Sequence, residues 1–127
     1  MPIMQELSLA VVGLDFPNRD GSNRRFEVAL CRPGDPVELR PEPKNPADPR
    51  AVAVYSERGV QLGYLSAERC GLVGKRLRAG EEVRAVFQEA DRYRAVIRVR
   101  FFGGEPTLPE CGQEAEPDEY AQSEWED

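Results

Sequence analysis

Histidine is absent from the sequence, and cysteine is scarce. Without histidine the chain lacks the commonest general base, the Ser-His and Cys-His nucleophile pairs, and the ligands of the usual zinc finger. Cys31, Cys70 and Cys111 lie about 40 residues apart, and so sparse and odd a set indicates reduced thiols in a cytoplasmic protein, not a disulfide framework. These absences favour a binding module over an enzyme, and we expect no metal and no cofactor.

Long hydrophobic runs are also missing. No stretch approaches the roughly 18 apolar residues that a membrane span needs. The first six residues show no basic region followed by an apolar segment, so we expect neither a secretory signal nor a membrane contact. The chain has 127 residues, of which 40% are hydrophobic, and this predicts one domain with a single core.

Acidic residues are concentrated at the C-terminal end. Nine of the 23 acids and none of the 17 bases lie from Gly104 onward, so residues 1–103 keep 14 acids and all 17 bases, a net charge of +3. We expect a folded domain over residues 1–103 and a disordered acidic tail over residues 104–127. The tail either only keeps the protein in solution, or it competes with a polyanion for the basic body, or it binds a protein partner through Tyr120 and Trp125.

The body is predicted to be mostly β with one main helix. Its last strand alternates apolar residues with arginines, which predicts one buried face and one face rich in guanidinium groups (Arg94, Arg98 and Arg100). Ser66 and Gly80 bound a helix in which Cys70, Val73 and Leu77 form the apolar stripe. Short strands with one late helix indicate a small OB-like or SH3-like β-barrel. Strands are expected over residues 7–14, 26–30, 37–40, 51–55, 60–65, 82–87 and 93–101.

A proline-rich loop over residues 41–49 carries the most informative polar residues. Asn45 and Asp48 lie three residues apart, and such side chains commonly hydrogen-bond their own loop backbone. Alternatively, the prolines hold the Asp48 carboxylate at the mouth of the barrel, where it accepts a hydrogen bond from a sugar hydroxyl. In that interpretation the neighbouring Lys44 and Arg50 contact adjacent phosphates.

Three segments in this order resemble the HIRAN domain family. They are Val11–Leu14, Asn45–Val52 and Gly59–Leu65, and the resemblance runs from about Leu7 to Phe102. It implies a modified OB-like barrel that binds nucleic acid. In the best-understood members, at the N-terminus of fork-remodelling helicases, the domain captures the 3′ end of single-stranded DNA.

The resemblance also implies roles for individual residues. Asp48 receives the terminal 3′-hydroxyl, while Phe16 and Tyr93 stack on bases, an interaction that contributes about 1–3 kcal/mol per base. Two positions depart from the DNA-end binders: Ala47 replaces an aromatic residue, and Asp15 replaces a basic one. We therefore expect Asp15 to repel phosphate and one wall of the base pocket to be missing.

These observations favour a non-enzymatic module for single-stranded DNA, with its 3′ end as the candidate ligand, in DNA repair or replication processing. The alternative is a protein-interaction module that uses the acidic tail or an open strand edge. An enzyme would need Cys31 or Cys70 as nucleophile, or paired carboxylates such as Asp48 with Glu42, and no spacing builds an acid/base pair. The candidate DNA-binding residues are Phe16, Lys44, Asn45, Asp48, Arg50, Tyr64, Tyr93 and Arg94.

Overall fold

Six strands and two short helices make up the part of the chain that the computed structural model describes, residues 6–108. The prediction for the tail beyond Leu108, including Tyr120 and Trp125, lies outside these residues. The elements follow in the order β1 (Glu6–Val12), α1 (Arg24–Leu30), β2 (Pro36–Pro41), β3 (Val52–Tyr55), β4 (Gln61–Leu65), α2 (Ala67–Arg78), β5 (Val83–Ala90) and β6 (Ala95–Phe101).

The strands form a closed antiparallel barrel in the order β1-β4-β3-β2-β5-β6, with β6 returning to pair with β1. This confirms the predicted small, mostly β barrel. Within residues 6–108 each strand has a neighbour on both sides, so the open strand edge of the protein-interaction alternative is absent from this part of the chain.

The barrel interior is filled by alternate side chains of the strands. On β6, Ala95, Ile97, Val99 and Phe101 are buried while the residues between them are partly exposed, as the alternation predicts. Branched and aromatic side chains from the other strands complete one continuous core.

The predicted strand over Phe26–Leu30 is wrong, because these residues belong to helix α1. Asn23 is the N-cap, and its Oδ1 accepts a hydrogen bond of 2.8 Å from the backbone N–H of Phe26. The buried residues of α1 are Arg24, Glu27 and Val28, which are spaced as on one face of a helix. Two of these three residues are charged. The alternation of apolar residues therefore misled the sequence analysis, since Phe26 and Leu30 are exposed.

Helix α2 follows the predicted pattern. Ser66 is its N-cap residue, and Cys70 and Val73 are buried against the barrel. The chain leaves the helix at Gly80, whose φ of +84° suits a residue without a side chain. Among residues 6–108 there is no helix of the length and apolarity that crossing a membrane requires.

Gly63 permits the close approach of β4 to β1. These strands pair at only two positions, Val11 with Leu65 and Val12 with Tyr64. A Cβ atom on Gly63 would lie 2.3 Å from the carbonyl oxygen of Val12, and because that oxygen belongs to the backbone, one strand would have to move. The seam that closes the barrel thus depends on the absence of a side chain here.

Gly63→Ala is expected to lower the free energy of unfolding by about 1–3 kcal/mol, because it overpacks this seam. Gly71→Ala is the matched control. No atom lies within 4 Å of the Cβ it would add inside α2, and helix propensity predicts a gain of about 0.5–1 kcal/mol. Urea denaturation measures both, and equal effects of the two substitutions would contradict the close-approach argument.

Candidate nucleic-acid interface

Two loops line one side of the barrel around a cleft of about 800 Å³. One loop connects β1 to α1 (residues 13–23), and the other is the proline-rich loop between β2 and β3 (residues 42–51). Three of the predicted site residues, Lys44, Asn45 and Tyr64, line the cleft. Its volume is in the range of about 300–1,000 Å³ that is typical of ligand clefts.

Asn45 organises the proline-rich loop. Its Oδ1 accepts hydrogen bonds from the backbone N–H groups of Ala47 (2.8 Å) and Asp48 (3.1 Å), and its Nδ2 donates to Oε1 of Glu42 at 2.9 Å. Of the two interpretations of Asn45, the structure favours the local one, an Asx turn that sets the path of the loop.

Glu42 connects this loop to the barrel wall, whereas sequence reasoning considered it only as a carboxylate partner of Asp48 in an enzyme. The hydroxyl of Tyr64 donates to the same Oε1 atom of Glu42 at 2.8 Å. Burial raises the pKa of Tyr64, so this hydroxyl remains a donor. The sequence shows that Glu42 directly follows β2, but it does not indicate the contact with Tyr64, which lies 22 residues away.

Asp48 and Arg50 stand on the same loop, beside the residues that line the cleft. The backbone N–H of Arg50 donates to Oδ1 of Asp48 at 2.8 Å, and its guanidinium lies 3.3 and 3.5 Å from the two carboxylate oxygens. The backbone bond and then the side-chain bond hold the pKa of Asp48 below its usual value. The Asp48 side chain, 31% exposed, is therefore an ionised acceptor within reach of solvent.

Phe16 and Tyr93, the predicted stacking residues, are 67% and 75% exposed. Phe16 lines a smaller recess of about 180 Å³ that shares Pro17 and Arg24 with the main cleft. Arg25 connects the two aromatic residues: it pairs with Asp15, which precedes Phe16, and donates at 2.6 Å to the carbonyl oxygen of Arg92, which precedes Tyr93.

Asp15 is compensated by this contact. The hydrogen bond from Arg25 lowers the pKa of Asp15, so the carboxylate is ionised and paired with a cation. From the sequence, Asp15 is expected to be an unpaired anion near the site, because Arg25 lies ten residues further along the chain. Phe26, which follows Arg25 on α1 and is 65% exposed, is a further exposed aromatic residue that sequence reasoning had assigned to a strand.

The guanidinium-rich face of β6 is partly neutralised. Arg98 and Arg100 both pair with Glu6 of β1, at 3.1 and 2.6 Å. Arg94 lies next to Tyr93, where its backbone N–H donates to Oδ1 of Asp91 at 3.0 Å. None of these three arginines lines the cleft. Of the predicted site residues, the structure thus brings Lys44, Asn45 and Tyr64 together, with Asp48 and Arg50 beside them on the loop.

Cys31 and Cys70 do not have the environment of nucleophiles. Cys70 is 2% exposed in the core. Burial, followed by the neighbouring carboxylate of Glu27, raises the pKa of the Cys31 thiol to about 11. No cluster of three or more cysteine, aspartate or glutamate side chains within residues 6–108 is arranged to hold a metal ion.

Small β-barrels of the OB type bind oligonucleotides or oligosaccharides through one face and its loops. The chain belongs to the HIRAN domain family, whose model matches residues 4–103. HIRAN domains are nucleic-acid-binding domains, so membership supports DNA binding in general.

Two solved structures share the fold. The crystal structure of the HIRAN domain of human HLTF has a TM-score of 0.64 and 22% sequence identity, covering 78% of this chain and 76% of that one. The crystal structure of a Lactobacillus plantarum protein has a TM-score of 0.61 and 18% identity, covering 77% of this chain and 99% of that one. No curated protein matches the chain significantly by sequence.

Cys31 is expected to react slowly with iodoacetamide in the native protein. A pKa of about 11 in place of 9.0 lowers the thiolate fraction near pH 8 by about 100-fold, and the rate should continue to rise with pH up to about 11. Peptide-resolved mass spectrometry over this pH range measures the rate, with the urea-unfolded chain as the control. A plateau near pH 9 in the native protein would contradict the assigned environment.

Proposed function

We propose that this protein is a non-enzymatic module that binds single-stranded DNA and receives its 3′ end beside the proline-rich loop. One observation carries the proposal. Lys44, Asn45 and Tyr64 line a single cleft, and Asp48 lies on the loop that carries Lys44 and Asn45. We further propose that the binding serves DNA repair or replication processing in the cytoplasm, a compartment that suits the free thiols of Cys31 and Cys70.

Base stacking is the first component of the proposed binding. Phe16 and Tyr93 expose most of their ring surface, and the contacts of Arg25 connect the segments that carry them. Every nucleobase has a π-face, so such rings bind single strands with little sequence preference. A duplex would offer these rings only its terminal base pairs, which favours single strands as the ligand.

Hydroxyl recognition is the second component. The Asp48 carboxylate is ionised and repels phosphate, but it can accept a hydrogen bond from a terminal sugar hydroxyl. Its Oδ2 atom contacts Arg50 only at 3.5 Å and keeps accepting capacity. This chemistry distinguishes a 3′-hydroxyl end from a 3′-phosphate end.

Asp48→Ala is expected to weaken binding to an oligonucleotide with a 3′-hydroxyl by about 10-fold, in line with the loss of one charge-assisted hydrogen bond. Binding to the same oligonucleotide with a 3′-phosphate should stay equal or become tighter, because a negative charge has been removed. Fluorescence anisotropy at low salt measures both.

Glu82→Ala is the matched control for the Asp48 substitution. It also removes one carboxylate. Glu82 lies directly before β5, at the end of that strand far from the β5–β6 turn that carries Tyr93. This variant should bind both oligonucleotides like the wild type. If Asp48→Ala lowers the affinity for both oligonucleotides equally, hydroxyl capture is contradicted, whereas binding of single strands is not.

Phe16→Ala and Tyr93→Ala are each expected to weaken binding to single-stranded DNA by about 5- to 100-fold, the loss of one stacked base. Phe102→Ala is the control, since Phe102 is a 49% exposed aromatic residue at the opposite end of β6 from Tyr93. The same anisotropy assay applies, with oligo-dT and oligo-dA as ligands. Unchanged affinity in both site variants would argue against stacking.

A protein-interaction module remains the second candidate, and one observation favours it. The first residues of the acidic segment contact the barrel: Glu105 pairs with Arg84 at 2.5 Å, and Thr107 donates from both its N–H and its hydroxyl to Glu6. The described start of the acidic segment is therefore held against β1 and β5, where a partner that binds this segment would also meet the barrel. Absence of DNA binding at low salt would make this candidate the leading one.

A further inference from the structure

Arg24 is a buried cation that has no carboxylate partner within residues 6–108. Its side chain begins on the first residue of α1, and the residue is only 7% exposed. None of the ion pairs among the described residues includes it. Burial of a guanidinium without a counter-ion is unfavourable unless its N–H groups are hydrogen-bonded, and its planar fork matches the geometry of carboxylate and phosphate.

Neutral groups hold the guanidinium in one orientation. Nε donates to Oδ1 of Asn18 at 2.7 Å, and Nη1 donates to the carbonyl oxygen of Gly13 at 2.8 Å. Asn18 is itself fixed, because its Nδ2 contacts both Ser22 Oγ and the carbonyl oxygen of Gln61 at 3.0 Å. The ring of Tyr64 covers one side of the guanidinium, with its centroid 5.6 Å from Cζ.

The remaining nitrogen, Nη2, has no hydrogen-bond acceptor among the described residues, and it is not sealed from solvent. Arg24 lines both the main cleft and the smaller recess beside Phe16. A donor that is fixed, charged and open towards a cleft is preorganised for an oxyanion, because binding requires no further ordering of the side chain.

Other charges of the cleft are compatible with an anion. Arg19 and Lys44 add two exposed cations. The two acids of the lining are engaged: Asp20 Oδ1 accepts from the N–H and hydroxyl of Ser22, and Glu42 Oε1 accepts from Asn45 and Tyr64. The described cleft lining thus holds three cations and two carboxylates that already have donors.

We infer that Arg24 forms a phosphate-binding subsite at the junction of the cleft and the Phe16 recess, with Nη2 donating to a phosphate oxygen. The same chemistry is offered by a backbone phosphate of single-stranded DNA and by the phosphate of a free nucleotide. The choice of DNA rests on the proposed function, whereas the subsite rests on the contacts of Arg24 alone. Its place between Phe16 and the proline-rich loop suits a phosphate that joins a stacked base to the captured end.

The test combines a titration of the wild-type chain with two variants. The guanidinium 15N and 1H signals of Arg24 are followed by NMR while oligo-dT, thymidine 5′-monophosphate or thymidine is added. Arg24→Gln is compared with Arg19→Gln, which removes the same charge from an exposed position in the same cleft. Thermal unfolding reports whether each variant is folded, and the NMR titration does not depend on either variant.

We expect the Arg24 signals to shift with oligo-dT and with thymidine 5′-monophosphate but not with thymidine. Arg24→Gln should weaken oligo-dT binding by about 10- to 100-fold and reduce the salt slope by about 0.7, while Arg19→Gln weakens binding by about 3-fold or less.

Other outcomes separate this inference from the proposed function. If oligo-dT binds while the Arg24 signals stay unchanged and the two variants lose affinity equally, the subsite is wrong and the proposed function stands. If oligo-dT does not bind but thymidine 5′-monophosphate shifts the Arg24 signals, the proposed function fails and the subsite serves free nucleotides. If no phosphate-bearing probe shifts them, the subsite is overturned.

Discussion

The pairing of β1 with β4 positions the two loops that line the cleft. The two strands meet at only two paired positions, and Gly63 allows the approach because a Cβ atom there would collide with the carbonyl oxygen of Val12. One residue beyond this contact the chain turns at Gly13, whose carbonyl oxygen accepts from Arg24. On the other strand Tyr64 follows Gly63, and its hydroxyl connects the barrel to the proline-rich loop through Glu42. A short backbone contact in the barrel wall thus positions both loops of the cleft.

Many charges of the weakly basic surface are paired with each other. Arg25 compensates Asp15, Arg50 compensates Asp48, and Glu6 compensates two arginines of β6. The more exposed pairs, those of Asp15 and Asp48, contribute little to stability and are screened by salt, whereas Glu6 is only 12% exposed. Arg24 differs from them, because it is buried and its contacts are all with neutral groups. A cation in low-dielectric surroundings acts on a nearby anion more strongly than a surface lysine does.

Much of the barrel could be predicted from the sequence, because its strands bury alternate residues. The apolar positions of β6 and of α2 were predicted correctly. Buried apolar residues recur every two residues in a strand and every 3.6 residues in a helix, so both patterns are visible in the sequence. Helix α1 was missed because its buried side includes Arg24 and Glu27, whose burial depends on distant partners. Glu27 accepts hydrogen bonds from Ser56 and Arg58, about 30 residues further along the chain.

The site was only partly predictable, for the same reason. Asn45 could be assigned to an Asx turn because its partners are two and three residues away. The contacts of Arg25 with Asp15 and Arg92, and of Tyr64 with Glu42, join segments that are far apart in sequence, and no local pattern indicates them. Asp15, which was expected to be an unpaired anion, depends on such a contact.

The geometry of Asp48 bears directly on how an end could be recognised. The short bond in this pair is the one from the Arg50 backbone to Oδ1, while the guanidinium contacts are longer, at 3.3 and 3.5 Å. A ligand hydroxyl could therefore bind Oδ2 without breaking the bond that orients the carboxylate. The Arg50 side chain, 64% exposed, could then turn towards a phosphate of the same ligand. Because the backbone bond keeps the carboxylate in place, the exchange of partners at Asp48 requires no rearrangement of the loop. This is the property that the proposed capture of a DNA 3′ end requires of Asp48.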